Sequence, residues 1–181
     1  MKKLSFFAVL ILCLRSVSVN ALIESEVFPE LVFASALKEN NIEVVEKLLE
    51  SGQSSNNLDS DKLTPLAYAI QNSSSDMVDL LIKYRAEINL VFLDKTTPLL
   101  YASLLEKKDM IEILIGKGAR INDQDYLGRT SLMIAIEREN VELVKEILKF
   151  GPDIELTDYS GQSIFDYLKF VRNRELKKLF E

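Results

Sequence analysis

The chain has 181 residues, 48% of them hydrophobic and 28% charged, with a formal net charge of −6. That is the composition of one globular domain, neither disordered nor fibrous. It contains no histidine and one cysteine, Cys13, which excludes zinc fingers, Ser-His-Asp triads, Cys-His dyads and His-ligated haem.

The first 21 residues read as a secretory signal peptide. Lys2 and Lys3 give a cationic start, residues 4–14 form an apolar run broken only by Ser5, and Val19-Asn20-Ala21 offers a peptidase site. As a helix, 11 residues cover about 16 Å, far short of the roughly 30 Å hydrocarbon core. Contact with a membrane is therefore expected only in passing, through the leader. Leu12 precedes Cys13 where a lipid-modified leader carries a small residue, so no anchor is expected. The short dilysine-led signal suggests a bacterial protein that is exported, either to the periplasm or out of the cell. Losing Lys2, Lys3 and Arg15 leaves 19 basic against 28 acidic residues, a net of −9, and no cysteine. Such a balance disfavours a phosphate backbone, so no nucleic acid is expected. It favours a basic protein partner.

Residues 22–181 repeat with a period of 33. Thr64-Pro65-Leu66-Ala67-Tyr68-Ala69 is followed by Thr97-Pro98-Leu99-Leu100-Tyr101-Ala102, then Thr130-Ser131-Leu132-Met133-Ile134-Ala135, then the more divergent Ser163-Ile164-Phe165-Asp166-Tyr167-Leu168. Val45, Val78, Ile111 and Val144 keep the same spacing, as do Leu48, Leu81, Leu114 and Ile147. Within one unit, Thr64 is an N-cap type and Pro65 suits the first helical position. Leu66, Ala69 and Ile70 share one helical face. After the polar break 71–75, Asp76 is expected to cap a second helix with a broad apolar face. Gly52, Gly118 and Gly151 mark the left-handed stop of that helix in other units. Pro29 and residues through Asn40 should form the first helix, and residues 42–50 the second. The last unit should stop inside its second helix. No unit can bury its apolar faces alone, so the units must stack.

This pattern resembles the ankyrin repeat, whose period is 33 and whose first helix opens with Thr-Pro-Leu-His-x-Ala. The expected fold is therefore an all-α solenoid of stacked helix-turn-helix repeats joined by short hairpin loops. Units fall at about 29–59 (a cap), 60–92, 93–125, 126–158 and 159–181 (a cap). The motif histidine is replaced by Ala67, Leu100, Met133 and Asp166, so any bonds it makes between units must be missing or replaced. Arg85 stands where Gly is usual, Pro152 follows Gly151, and Phe92 takes the place of a hairpin Asp.

The resemblance implies a non-enzymatic, monomeric module that binds a protein through its hairpin tips and concave first-helix face, without a cofactor. The hairpin candidates it carries over are Asp61, Lys62, Leu63, Asp94, Lys95, Thr96, Leu127, Arg129, Ser160 and Gln162, together with Tyr126 and Tyr159. Leu104 and Leu105 join them, because related units have Gln71-Asn72 and Glu137-Arg138 there and at least one of the leucines should be exposed. Tyr68, Tyr101 and Tyr167 recur in one register and read as filling between stacked helices. A periplasmic inhibitor or immunity-type protein is an alternative reading. An accessory enzyme using carboxylate pairs (Asp59 with Asp61, Asp123 with Asp125, Asp153 with Glu155) is a rival of another class. Those pairs sit where Asp ordinarily caps turns.

Overall fold

A computed structural model describes residues 29–181. The proposed leader and Cys13 lie outside the described residues. The chain divides into two compact units, one ending at Ser54 and the other running from Ser55 to Glu181. In the first unit, α1 (Pro29–Lys38) packs on α2 (Ile42–Glu50). The helix α1 is shorter than expected: Asn40 turns left-handed at φ +53° just after it, and Asn41 caps α2 by accepting from Val44 N at 3.2 Å.

The second unit holds four helix pairs: α3 (Pro65–Gln71) with α4 (Ser75–Lys83), α5 (Pro98–Leu104) with α6 (Lys108–Gly116), α7 (Ser131–Glu137) with α8 (Val141–Leu148), and α9 (Ile164–Phe170) with α10 (Arg174–Lys178). The first helices form one row, α3 on α5 on α7 on α9. Among the second helices, α6 packs on α8 and α8 on α10. There is no sheet among the described residues, only single bridges at Phe92 with Thr96 and Thr157 with Ser163. This is an all-α repeat fold, built as the period required. Leu81, Ile111, Leu114 and Val144, all from the apolar registers, are fully buried.

The helix starts follow their caps. Thr64 accepts from Ala67 N at 3.1 Å and Thr130 from Met133 N at 3.3 Å. The cap of α4 is Ser74, accepting from Met77 N at 3.3 Å, and not Asp76. Asp76 falls two residues past the cap, inside the first turn, because the chain bends left-handed at Ser73 and the helix begins at once. The last helix also departs from expectation. It closes at Lys178 with Leu179 as its cap, so the chain leaves the helix before Glu181.

Left-handed backbone recurs with the repeat. Asn40, Ser73, Glu106 and Glu139 end the first helices; Gly52, Arg85, Gly118 and Gly151 end the second; Lys62, Lys95, Gly128 and Gly161 turn the hairpins. Arg85 thus takes up the glycine conformation, at φ +67°. Its turn is held because Asn56 donates to the Arg85 carbonyl at 2.9 Å and accepts from Glu87 N at 2.8 Å. One unit on, Asn89 repeats both bonds, to the Gly118 carbonyl at 3.1 Å and from Arg120 N at 2.9 Å. Asn122 accepts from Asp153 N at 2.9 Å. These asparagines stand 33 residues apart and tie successive units. At the motif-histidine position, Ala67, Leu100 and Met133 are fully buried apolar residues.

Candidate functional site

Each hairpin of the second unit is organised from within. In three of them an aspartate does the organising. Asp59 Oδ1 accepts from Asp61 N at 2.9 Å and Leu63 N at 3.0 Å. Asp125 Oδ1 accepts from Leu127 N and Arg129 N, both at 2.9 Å. Asp158 Oδ1 accepts from Ser160 N at 2.8 Å and Gln162 N at 2.9 Å. The second carboxylate oxygen then meets a donor that depends on the next helix. Tyr68 donates to Asp59, and Tyr167 to Asp158 at 2.9 Å. In the unit between, the tyrosine register holds Ile134, and the Arg129 guanidinium reaches Asp125 Oδ2 instead, at 3.0 and 2.8 Å.

These bonds leave electrostatic traces. Burial first, and then the adjacent Asp59 or Asp158, push the Tyr68 and Tyr167 phenols well above the usual tyrosine range. Burial raises the Asp158 carboxyl, but its bonds from Gln162, Tyr167 and Ser160 outweigh that and hold it below its ordinary value. Burial opposes the charge on Arg129, and Asp125 and Glu137 more than restore it.

The fourth hairpin lacks the aspartate. Phe92 stands there, buried, with its ring edge-on to Tyr101 at 5.3 Å and 78°. The turn closes by backbone alone: Phe92 N donates to the Thr96 carbonyl at 2.9 Å, and Thr96 N to the Phe92 carbonyl at 3.1 Å. Tyr101, relieved of an aspartate partner, accepts from Gln71 Nε2 at 2.6 Å. The tyrosine register is therefore only partly core: Tyr68 is buried, while Tyr101 and Tyr167 are half-buried.

Most of the hairpin candidates do face outward. Asp61, Lys62, Asp94, Lys95, Ser160 and Gln162 are exposed, and Leu63 is half-buried. Tyr126, Leu127 and Tyr159 are 53%, 43% and 63% exposed. Thr96 is a correction: it is buried, because the bridge with Phe92 turns its side chain inward. Arg129 is another. Its guanidinium is clamped between Asp125 and Glu137, 2.6 Å from the latter, and is half-buried. Leu105 is exposed and Leu104 half-buried.

Tyr159 reaches back along the row. Its N donates to the Leu127 carbonyl at 3.0 Å, and its ring lies over Gly128, where any Cβ would collide with it. The Lys95 ammonium also lies over that ring, 5.9 Å from its centre. Leu93, Tyr126 and Tyr159 stand in one register, 33 residues apart, and put an exposed apolar side chain on each of three successive hairpins. Leu58 and Val91, also 33 apart and half-exposed, stand two residues ahead of that register. They were not singled out from the sequence, although their shared register was a usable signal. Phe165 and Phe170 were missed as well.

The carboxylate pairs are engaged in turns. Asp153 accepts from Glu155 N at 2.9 Å, and Asp123 pairs with Arg120 at 2.9 Å. Among the described residues, no three carboxylates converge as a metal site.

A family model for ankyrin repeats matches the chain three times, over residues 9–91, 31–125 and 85–158. The chain belongs to the ankyrin-repeat family. Ankyrin repeats generally mediate protein–protein interaction. No curated protein matches this ankyrin chain. Its hairpin row sits where backbone and carboxylate bonds hold every tip in a fixed shape. A preformed tip loses little conformational freedom when a partner docks.

Proposed function

We propose that this ankyrin protein is an exported, monomeric binding module of bacterial origin that docks a basic protein partner on its hairpin row. The observation that carries the reading is the apolar line Leu93, Tyr126 and Tyr159 on rigid hairpins, flanked by exposed Leu127. Tyrosine supplies large contact area with few rotatable bonds, which is why it anchors interfaces. The acidic balance of the chain supports a basic partner by steering encounter. Affinity comes from shape and charge on a surface formed in advance, with no bond made or broken.

The test places a photo-crosslinking side chain at Tyr126 in the protein expressed with its leader in a bacterial host. Crosslinking should give one discrete adduct in the envelope or medium fraction. The triple variant Leu93→Ser, Tyr126→Ser, Tyr159→Ser, carrying the crosslinker at Leu127 instead, should lose it while keeping its helical circular dichroism. An adduct undiminished in the folded triple variant would sink the hairpin row as the docking surface. Retention of the whole protein inside the cytoplasm, with residues 1–21 still attached, would overturn the export reading.

A further inference from the structure

A cleft of about 330 Å³ lies at the end of the first-helix row, lined by Glu137, Glu139, Gln162, Tyr167, Phe170 and Val171. That volume is at the lower end for small-ligand sites (about 300–1,000 Å³), enough for one long side chain. Its charge is one-sided. Glu137 and Glu139 line it, while Asp158 stands behind Tyr167 and Asp125 behind Arg129. Among the described residues, Arg129 is the one cation bonded to any of these four carboxylates, and it is shared between Asp125 and Glu137. Arg138 and Arg172 adjoin in sequence with exposed side chains.

Glu139 is fixed in place. Its two oxygens accept from Arg172 N at 3.0 Å and Asn173 N at 2.9 Å. Each carboxylate oxygen has two acceptor sites, so both can still accept from a ligand. Phe170 is 81% exposed. In its register the preceding units carry Gln71, Leu104 and Glu137, so an aromatic ring appears here alone, beside the two glutamates.

We propose that this cleft receives one arginine side chain of a protein partner, its guanidinium lying on the Phe170 ring and donating to Glu137 and Glu139. This rests on the reading of the chain as a protein binder, and it adds where a basic partner is gripped. A ring face attracts a cation, and a flat, forked guanidinium can stack and reach two carboxylates together, which a lysine ammonium cannot.

The experiment titrates the isotopically labelled protein with acetyl-Gly-Gly-Arg-Gly-Gly-amide at about 0.15 M salt, which screens diffuse attraction beyond roughly 8 Å. Amide shifts should cluster at residues 137–140, 162 and 170–173. The peptide with citrulline for arginine should bind at least tenfold more weakly. Phe170→Ala and Gln162→Lys, both at exposed positions, should each weaken the arginine peptide at least fivefold. Shifts scattered over the acidic surface, equal binding of the citrulline peptide, or no effect of Phe170→Ala would each overturn the proposal. The hairpin crosslink tests the docking row separately, because the peptide titration needs no natural partner.

Discussion

Two neighbouring 33-residue stretches, 92–124 and 125–157, each a hairpin and the helix pair it opens, solve the same problem by different chemistry. The later one has its full set of polar devices. Asp125 closes the hairpin and holds Arg129, Thr130 caps α7, and Asn140 caps α8 by accepting from Leu143 N at 3.0 Å. The earlier one lacks each of them. Phe92 replaces the aspartate, and two successive residues, Asp94 and Lys95, adopt left-handed backbone. Thr97 makes no cap bond, leaving its buried hydroxyl without a partner, and Lys107 stands at the N-cap of α6 with no side-chain bond to give. Yet the helices of both repeats start in register. The apolar core, with Leu99, Leu100, Ile111 and Leu114 fully buried in the first, is what repeats faithfully. Polar caps improve a helix end that packing has already placed.

The comparison breaks most visibly at the two hairpin keystones. Asp125→Ala removes one of the two carboxylates that hold a half-buried guanidinium, and with it the acceptor of two turn N–H groups, and should cost about 3–5 kcal/mol. Phe92→Ala should cost a similar amount, about 3–5 kcal/mol, through a cavity. Chemical denaturation in low and high salt separates them. The Asp125 effect should shrink as salt screens the ion pair in the parent protein, and the Phe92 effect should not. Equal salt response would mean that both hairpins are held in the same way.

A smaller effect follows from pH, through the hairpin that pairs Asp158 with Tyr167. The bond needs an ionised carboxylate and a protonated phenol. Asp158 is held below its ordinary value, chiefly by donors that outweigh its burial, so its contribution is present above the unfolded value near 3.9 and fades as pH falls through the lower folded value. Tyr167 is raised by burial and by Asp158, so its contribution holds below about pH 10 and is lost as pH climbs further. Melting temperature against pH should therefore fall at both ends. Tyr167→Phe should flatten the alkaline arm, leaving the part due to Tyr68. An unchanged alkaline arm would show that the Tyr167 bond does not form in solution.

What the sequence reveals in these repeats follows the same division. The period, the caps at Thr64 and Thr130 and the buried registers were legible because each depends on neighbours within four residues or on a fixed spacing of 33. The cap at Ser74 was not, since Ser74 and Asp76 are both good capping residues and only the bend at Ser73 chooses between them. The burial of Thr96 depends on Phe92 having displaced an aspartate. Arg129 was carried over as a hairpin contact residue, and its place was not legible because it depends on Ile134, which leaves the carboxylate it occupies without a tyrosine. The cleft beside Phe170 draws on three separate stretches of chain, at Glu137 and Glu139, at Gln162, and from Tyr167 to Val171. Its only linear signal was the odd aromatic in a register of Gln71, Leu104 and Glu137.

The glycine of the later hairpin and the lysine of the earlier one sharpen the contrast further. Gly128→Ala would place a Cβ against the backbone and ring of Tyr159, in a conformation at φ +83° that already disfavours a side chain. A loss of more than about 1 kcal/mol is expected. Lys95→Ala occupies the equivalent register with a side chain already present, and should be nearly neutral. Comparable losses at both sites would mean that the Tyr159 contact does not matter.

Repair of the earlier repeat should give the smaller gains. Lys107→Asn restores the cap seen at Asn140 and should add about 1 kcal/mol, read as a higher denaturation midpoint with unchanged slope. Lys95→Gly is the finest test. A side chain in left-handed backbone costs roughly 1–2 kcal/mol, and glycine removes that cost. Glycine also enlarges the freedom of the unfolded chain, which takes back about 0.4–1 kcal/mol. The balance is a stabilisation of about 0.5–1 kcal/mol, with a melting shift of a few degrees at most. Asp94, left-handed beside it at φ +44°, should give a gain of similar size when replaced by glycine. The two gains should be less than additive, because a turn freed at one residue no longer forces its neighbour. If Lys95→Gly lowers stability instead, the exposed cation is giving more through its approach to Tyr159 than its backbone costs, and the departure at Phe92 carries its own compensation along the hairpin row.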